Sequence, residues 1–335
     1  MPTVAAGTPT APDDKHETVI EFPDNRLLID LCGQFDRNIT QIESAFDTQI
    51  LRRGNQISIH GQEDARHQVH DVLTALYARL EDGREVEPAD IDALIRMGPA
   101  PEPSPESATQ LDMFPGGRME IRTRKRTIEP RTPMQRAYVS ELFNRELVFG
   151  IGPAGTGKTY LAVAAAVSMY LDGQVDKIIL SRPAVEAGER LGFLPGTEKE
   201  KMDPYMRPLY DALGDMLPGK QVTKMMEEGK LEIAPLAFMR GRTLARSFVV
   251  LDEAQNTTEM QMKMFLTRMG EDSRMAVTGD PTQIDLPRGT RSGLVQALGI
   301  LKRVEKIGFV HFSAADVVRH PLVAAIIEAY DEDGA

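Results

Sequence analysis

Gly152-Pro153-Ala154-Gly155-Thr156-Gly157-Lys158-Thr159, set between the apolar run Leu147, Val148, Phe149 and Ile151 and the helix-forming stretch Tyr160 to Met169, decides the fold. Glycines at 152, 155 and 157 let the backbone curl so that successive N–H groups face inward, and the helix that follows adds the positive end of its dipole. Lys158 is placed to reach β- and γ-phosphates, and the Thr159 hydroxyl to ligate Mg²⁺. The run from Gly152 to Thr159, with Tyr160 after it, is therefore the expected nucleotide-binding element. A Gly-rich turn that merely joins strand to helix would not need the Lys-Thr ending.

Downstream of the loop, short apolar stretches alternate with amphipathic ones. Lys177 to Ser181, Leu231 to Ala234, Phe248 to Leu251, Met275 to Thr278 and Phe309 to Phe312 read as strands. Such alternation predicts an α/β core with a mostly parallel sheet covered by helices on both faces and ligands at the carboxyl ends of the strands. Ser247-Phe-Val-Val-Leu-Asp252-Glu253 is an apolar strand ending in two carboxylates. Asp252 is expected to hold Mg²⁺, and Glu253 to orient and deprotonate an attacking water. Val277-Thr278-Gly279-Asp280-Pro281-Thr282-Gln283 also ends a strand in polar groups. There the Gln283 amide senses the γ-phosphate or holds the lytic water, with a simple turn as the alternative reading of Gly279-Asp280-Pro281. A small-molecule kinase shares the phosphate loop but has no use for Glu253 and Gln283, which promote the attack of water.

Composition narrows the function class. With 335 residues and 41% hydrophobic content, the chain can bury one large core and one smaller one. Its formal net charge of −11 confines any nucleic-acid contact to a local basic patch. The single cysteine, Cys32, rules out an internal disulfide framework and suits a reducing compartment. No long apolar segment is present, so a cytoplasmic protein without membrane contact is expected.

Residues 1–16 read as a disordered tail and 98–117, rich in Pro, Glu, Ser and Gly, as a linker. They bracket a small α+β domain at 17–97, and the ATPase domain occupies 118–335. In the small domain the predicted order is strand, helix, helix, strand, strand, helix, ending in a helix over Glu63 to Leu80. That order resembles a KH module, which clamps single-stranded RNA with a Gly-x-x-Gly loop between its first two helices. Here the loop is Gly33-Gln34-Phe35-Asp36, and Asp36 replaces the second glycine. Two readings of Asp36 stand: N-cap of the second helix, or part of an RNA-contacting loop. The basic run Arg118 to Arg126 is a candidate backbone contact or a charged strand edge. Lys199, Lys201, Arg207, Lys220 and Lys224 likewise line a pore or face solvent.

Asp-Glu-x-Gln and Gly-Asp-x-x-Gln after a phosphate loop resemble the nucleotide-binding half of superfamily 1 helicases. The stretch Ile128 to Tyr330 resembles the PhoH-like family more specifically. The resemblance rests on the loop, Ser181-Arg-Pro-Ala-Val-Glu-Ala-Gly188, Leu191-Gly-Phe-Leu-Pro-Gly196, Leu236-Ala-Phe-Met-Arg-Gly-Arg242, Asp252-Glu-Ala-Gln255 and Asp316-Val-Val-Arg-His-Pro-Leu322. With the KH-like front end, the chain is similar to the YbeZ-type branch. The resemblance implies an ATPase with a RecA-like core acting in RNA metabolism, with ATP and Mg²⁺, and a link to a YbeY-like endoribonuclease. Gln135 resembles the glutamine that reads adenine in such helicases. Only one nucleotide-binding core fits the length, so an arginine for the γ-phosphate comes from a neighbouring subunit or the enzyme is slow without one. The former implies a homo-oligomeric ring, a hexamer by analogy, with Arg240, Arg242, Arg288, Arg291 and Arg319 as the candidates. Two functions compete: an ATPase that moves along or remodels RNA, and a nucleotide-switched adaptor that presents RNA to a nuclease.

Overall fold

Alternating apolar residues on β1 (Glu17–Glu21), β2 (Gln49–Arg53) and β3 (Gln56–His60) give the first sheet one buried face. The computed structural model describes residues 17–98, 119–183 and 198–318, so the expected tail, most of the expected linker and Arg319 lie outside the described residues. The chain divides into two compact units, Met1–Glu102 and Pro103–Ala335.

In the first unit the strands lie in the order β1-β3-β2, all antiparallel, with Thr18 and Ile50 both opposite Ile59. Helices α1 (Asn25–Cys32), α2 (Arg37–Phe46) and α3 (Glu63–Glu81) follow the predicted order. Leu28, Leu31, Ile42, Ile57, Ile59, Leu73 and Leu76 form their shared core. A further helix, α4 (Pro88–Met97), was not anticipated; Glu87 and Asp90 form a capping box around Pro88 at its start. The N-cap reading of Asp36 needs correction. Asp36 occupies the cap position but is left-handed, with φ 55° and ψ 25°, and its side chain caps nothing. Phe35 before it is also left-handed, at φ 56°, and wholly exposed.

The second unit opens with a hairpin, β4 (Ile121–Arg122) and β5 (Thr127–Ile128), and α5 (Pro133–Asn144), whose N-cap Thr132 accepts from the Gln135 N–H at 3.0 Å. Then come β6 (Leu147–Ile151), α6 (Lys158–Leu171), β7 (Lys177–Arg182), α7 (Glu198–Met216), α8 (Gly219–Glu227), β8 (Leu231–Pro235) and β9 (Ser247–Leu251). The described part ends with α9 (Glu259–Leu266), β10 (Arg274–Gly279), α10 (Gly293–Leu301) and β11 (Ile307–His311). All six large strands are parallel, in the order β11-β6-β10-β9-β7-β8. Apolar residues on both faces of the strands build two cores, one against α5 to α8 and one against α9 and α10. This is the expected α/β, RecA-like core. Because β10 lies between β6 and β9, and Gly279 is level with Ile151, three strands deliver their polar termini to one edge of the sheet.

The basic hairpin has a role that neither sequence reading anticipated. Lys125 donates through Nζ to Gly214 O at 2.5 Å and through its backbone N–H to Met216 O at 3.1 Å. A cation therefore sits on the carbonyl end of α7, where the helix dipole favours it. Arg126 lies 3.8 Å from Asp215 and donates to Tyr160 Oη at 3.3 Å.

Candidate active site

The loop after β6 takes left-handed backbone only at glycine: φ is 144° at Gly152, 84° at Gly155 and 81° at Gly157. A Cβ at Gly152 would lie 2.4 Å from Phe312 O, so the loop is pressed against the end of β11. The Gly152 N–H donates to Gly279 O at 3.1 Å, which joins the loop to β10. Lys158, only 8% exposed, folds back over the loop. Its Nζ donates to Gly152 O and Pro153 O, both at 2.7 Å, and to Thr156 Oγ1 at 3.3 Å. An ammonium held on carbonyls at the loop's centre is positioned to exchange them for phosphate oxygens.

Ala154, Gly155, Gly157, Lys158, Thr159 and Tyr160 line a cleft with Asp252, Glu253, Gly279, Asp280 and Gln283. The cleft is open at its mouth and encloses about 670 Å³ with the open space counted. The sequence-predicted residues of the loop, the β9 terminus and the β10 terminus thus meet in one place.

Asp252 is the centre of the polar network and is 3% exposed. Its Oδ1 accepts from Thr159 Oγ1 at 2.5 Å and Thr278 Oγ1 at 2.7 Å. Its Oδ2 accepts from Arg182 Nε at 2.8 Å and from Arg182 Nη2. The donors suit a magnesium ion: the Thr159 proton is committed to the carboxylate, which leaves hard oxygen lone pairs for a cation. Among the described residues no group of three or more His, Cys, Asp or Glu could hold a metal by itself. A cation here would complete its shell from phosphate and water, as Mg²⁺ commonly does.

Glu253 is left-handed, φ 53° and ψ 38°, which turns its carboxylate out of the strand and into the cleft. Gln255, 1% exposed, holds it: Nε2 donates to Glu253 Oε2 at 2.6 Å while Oε1 accepts from the Asp280 N–H at 3.0 Å. One buried amide thereby fixes the β9 and β10 termini against each other. Asp280 in turn accepts from Gln283 Nε2 at 2.7 Å and from the Thr282 N–H at 3.0 Å. Gln283 lines the cleft, and its backbone N–H donates to Asp280 O at 3.0 Å, which closes a turn over Asp280–Gln283.

Gln135 stands beneath the loop and is absent from the cleft wall. It is 5% exposed; Oε1 accepts from the Arg131 N–H at 2.7 Å and Nε2 donates to Thr156 O at 3.0 Å. Asp316 adds a second brace by accepting from Thr132 Oγ1 at 2.8 Å, and the Val318 N–H donates to Gly155 O at 3.0 Å.

Arg242 departs from its expected finger role. Its Nη1 and Nη2 donate to Glu232 Oε1 and Oε2 at 2.6 and 2.8 Å. This pairing holds the Glu232 carboxyl below, and the Arg242 guanidinium above, their ordinary pKa values. It fastens the turn Leu236–Met239 to its own strand. Arg240, Arg288 and Arg291 are exposed. The sequence motifs contain Arg182, Thr278 and Gln255 but assign none of them a role; each lies at or just past the end of a strand.

Comparison with known proteins places this site in a family. The family described as PhoH-like protein matches residues 127–331. A PhoH-like protein of Bacillus subtilis is 48% identical over 316 residues, covering 93% of this chain and 96% of the relative. One from Synechocystis is 42% identical over 312 residues, 93% of this chain and 94% of the relative. Among solved structures, the UvsW helicase of bacteriophage T4 aligns with TM-score 0.37 and 14% identity over 70% of this chain and 75% of that one. That likeness is too slight to bear on function.

Proposed function

The chain belongs to the PhoH-like family, and we propose that it is a Mg²⁺-dependent ATPase that acts in RNA metabolism as a homo-oligomeric ring. One observation carries the hydrolytic part: Lys158, Thr159, Asp252 and Glu253 line a single cleft, with Thr159 already donating to Asp252. The loop N–H groups and Lys158 bind the polyphosphate and hold the γ-phosphate against Glu253. The carboxylate of Glu253, fixed by Gln255, accepts the proton of the attacking water, and Gln283 orients that water. Mg²⁺, when bound at Thr159 and Asp252, supplies charge that offsets the developing negative charge on the phosphate oxygens.

Arg240 follows the turn after the edge strand β8 and is exposed; in this reading it serves a neighbouring subunit, with Arg288, Arg291 and Arg319 as the other candidates, and a closed ring, a hexamer by analogy, satisfies every subunit's site. Exposed Arg288 and Arg291 follow Gln283 on the same loop and offer charge to RNA backbone beside the nucleotide. The β-α-α-β-β-α order of the first unit supports a KH-like RNA-binding role. The adenine contact expected of Gln135 has no part in this reading, because the side chain is 5% exposed and braces Arg131 and Thr156 beneath the loop.

The test is steady-state ATP hydrolysis with and without single-stranded RNA, using Lys158→Ala as the blank. Stimulation by RNA that disappears in the variant is the expected result. Hydrolysis indifferent to RNA would replace the motor with a nucleotide-switched adaptor for a YbeY-like nuclease, and absence of hydrolysis would overturn the reading altogether.

A further inference from the structure

Four hydrogen bonds converge on the Asp252 carboxylate: two hydroxyls on Oδ1, and Nε and Nη2 of Arg182 on Oδ2. A carboxylate offers about four lone-pair positions, so the group is saturated. A water on a bound cation could donate to Asp252 only after one of these partners leaves. The Thr159 bond is compatible with the cation, because the hydroxyl keeps its own lone pairs free while donating. Thr278 is fixed within β10.

Arg182 differs from both hydroxyls. It ends β7 on a long side chain, its Nη1 donates to Tyr205 O of α7 at 2.9 Å, and its Nη2 lies 3.9 Å from Glu253 Oε1. One acceptor therefore already holds it, and a second lies beside the one it would release. Its side chain is 15% exposed and the Asp252 side chain 4%. A pair this enclosed is a poor source of stability, since removing both charges from water offsets most of their attraction.

We propose that Arg182 is a positioning residue that gates the cation site: it occupies Asp252 until Mg²⁺ and nucleotide arrive together, then passes to Glu253 and the γ-phosphate side of the cleft. The gate rests on the hydrolytic reading of this cleft. It gives the single subunit a guanidinium beside Glu253 in cis. It also ties the state of the cation site to α7, through the Tyr205 carbonyl.

Mn²⁺, titrated without nucleotide and read by the paramagnetic resonance of the free ion, tests the gate directly. With the guanidinium gone, Asp252 and Glu253 face the cleft uncompensated. Arg182→Gln should then bind one Mn²⁺ about tenfold or more tighter than the natural protein. Arg182→Lys, which keeps the charge but loses the two-pronged contact, should fall between them. Adding Asp252→Asn to Arg182→Gln should abolish the gain. In turnover assays, Arg182→Gln should lower kcat while lowering the Mg²⁺ concentration needed for half-maximal rate. A merely structural residue would not split the two parameters in that way. Unchanged or weaker Mn²⁺ binding in a folded Arg182→Gln protein overturns the gate. If that variant does not fold, unchanged binding in Arg182→Lys does so. The titration involves no hydrolysis, so an inactive natural protein would remove the ATPase proposal and leave the gate to stand or fall on Mn²⁺ alone.

Discussion

Two tight turns lead into helices in this protein, and they distribute left-handed backbone in opposite ways. In the phosphate loop every positive φ belongs to a glycine, at 152, 155 and 157. In the turn after α1 only Gly33 obeys that rule, while Phe35 and Asp36 carry φ of 56° and 55° with full side chains. The difference follows from which part of the chain faces outward. Backbone N–H groups are the working surface of the loop; a Cβ at Gly152 would meet Phe312 O at 2.4 Å, and one at Gly157 would come within 3.1 Å of Gln135 Nε2. At the other turn the side chain is displayed, and Phe35 is 100% exposed. Glu253 belongs with Phe35: a side chain that must leave its strand takes φ 53° and carries the strain.

The largest expected effect breaks the working side chain without moving the loop. Glu253→Gln should lower turnover by roughly 10²- to 10⁴-fold while fluorescent-nucleotide titration gives near-natural affinity. Next comes the loop backbone. Gly152→Ala puts a methyl 2.4 Å from Phe312 O, and it should cost about 3 kcal/mol or more in denaturant melts and remove nucleotide binding. Phe35→Gly should act in the opposite direction. Releasing a left-handed aromatic from strain ought to raise the stability of the first unit by up to about 1 kcal/mol, and RNA-independent hydrolysis should stay unchanged. A loss of stability there would show that Phe35 is packed and not displayed.

The smallest effect concerns Arg242. With about a third of its side chain exposed, Arg242→Ala should cost less than about 1 kcal/mol. Arg242 and Lys177 hold the Glu232 carboxyl below its ordinary range, so the pair contributes above the ordinary carboxylate pKa. That contribution disappears as pH falls through the lowered value. The difference between natural and Arg242→Ala melting temperatures should therefore shrink in acid, and a pH-independent difference would argue against the pair.

Local signals carried most of the site. The loop, the β9 carboxylates and the β10 terminus each announce themselves within a few residues, because an apolar strand that stops abruptly at glycine or acid sets backbone and charge where a ligand can reach them. Strand positions followed from runs of apolar residues, and most strand limits agree with the sequence reading within two or three residues. What the sequence did not disclose depends on contacts between distant segments. Arg182 reaches Asp252 only because β7 lies beside β9, and Lys125 meets α7 only in the folded unit. Asp36 has the composition of a cap but not its dihedrals, since a turn that exposes Phe35 forces both residues left-handed. Helix α4 is short and entered through Glu87-Pro88, a start that also suits a loop.

The central claim is that one cleft binds the nucleotide through Lys158 and cleaves it through Glu253. A single-turnover experiment with excess protein over labelled MgATP separates the two roles. The account predicts rapid binding and cleavage by the natural protein, bound but intact ATP on Glu253→Gln, and little bound ATP on Lys158→Ala. Cleavage by Glu253→Gln at the natural rate would contradict it.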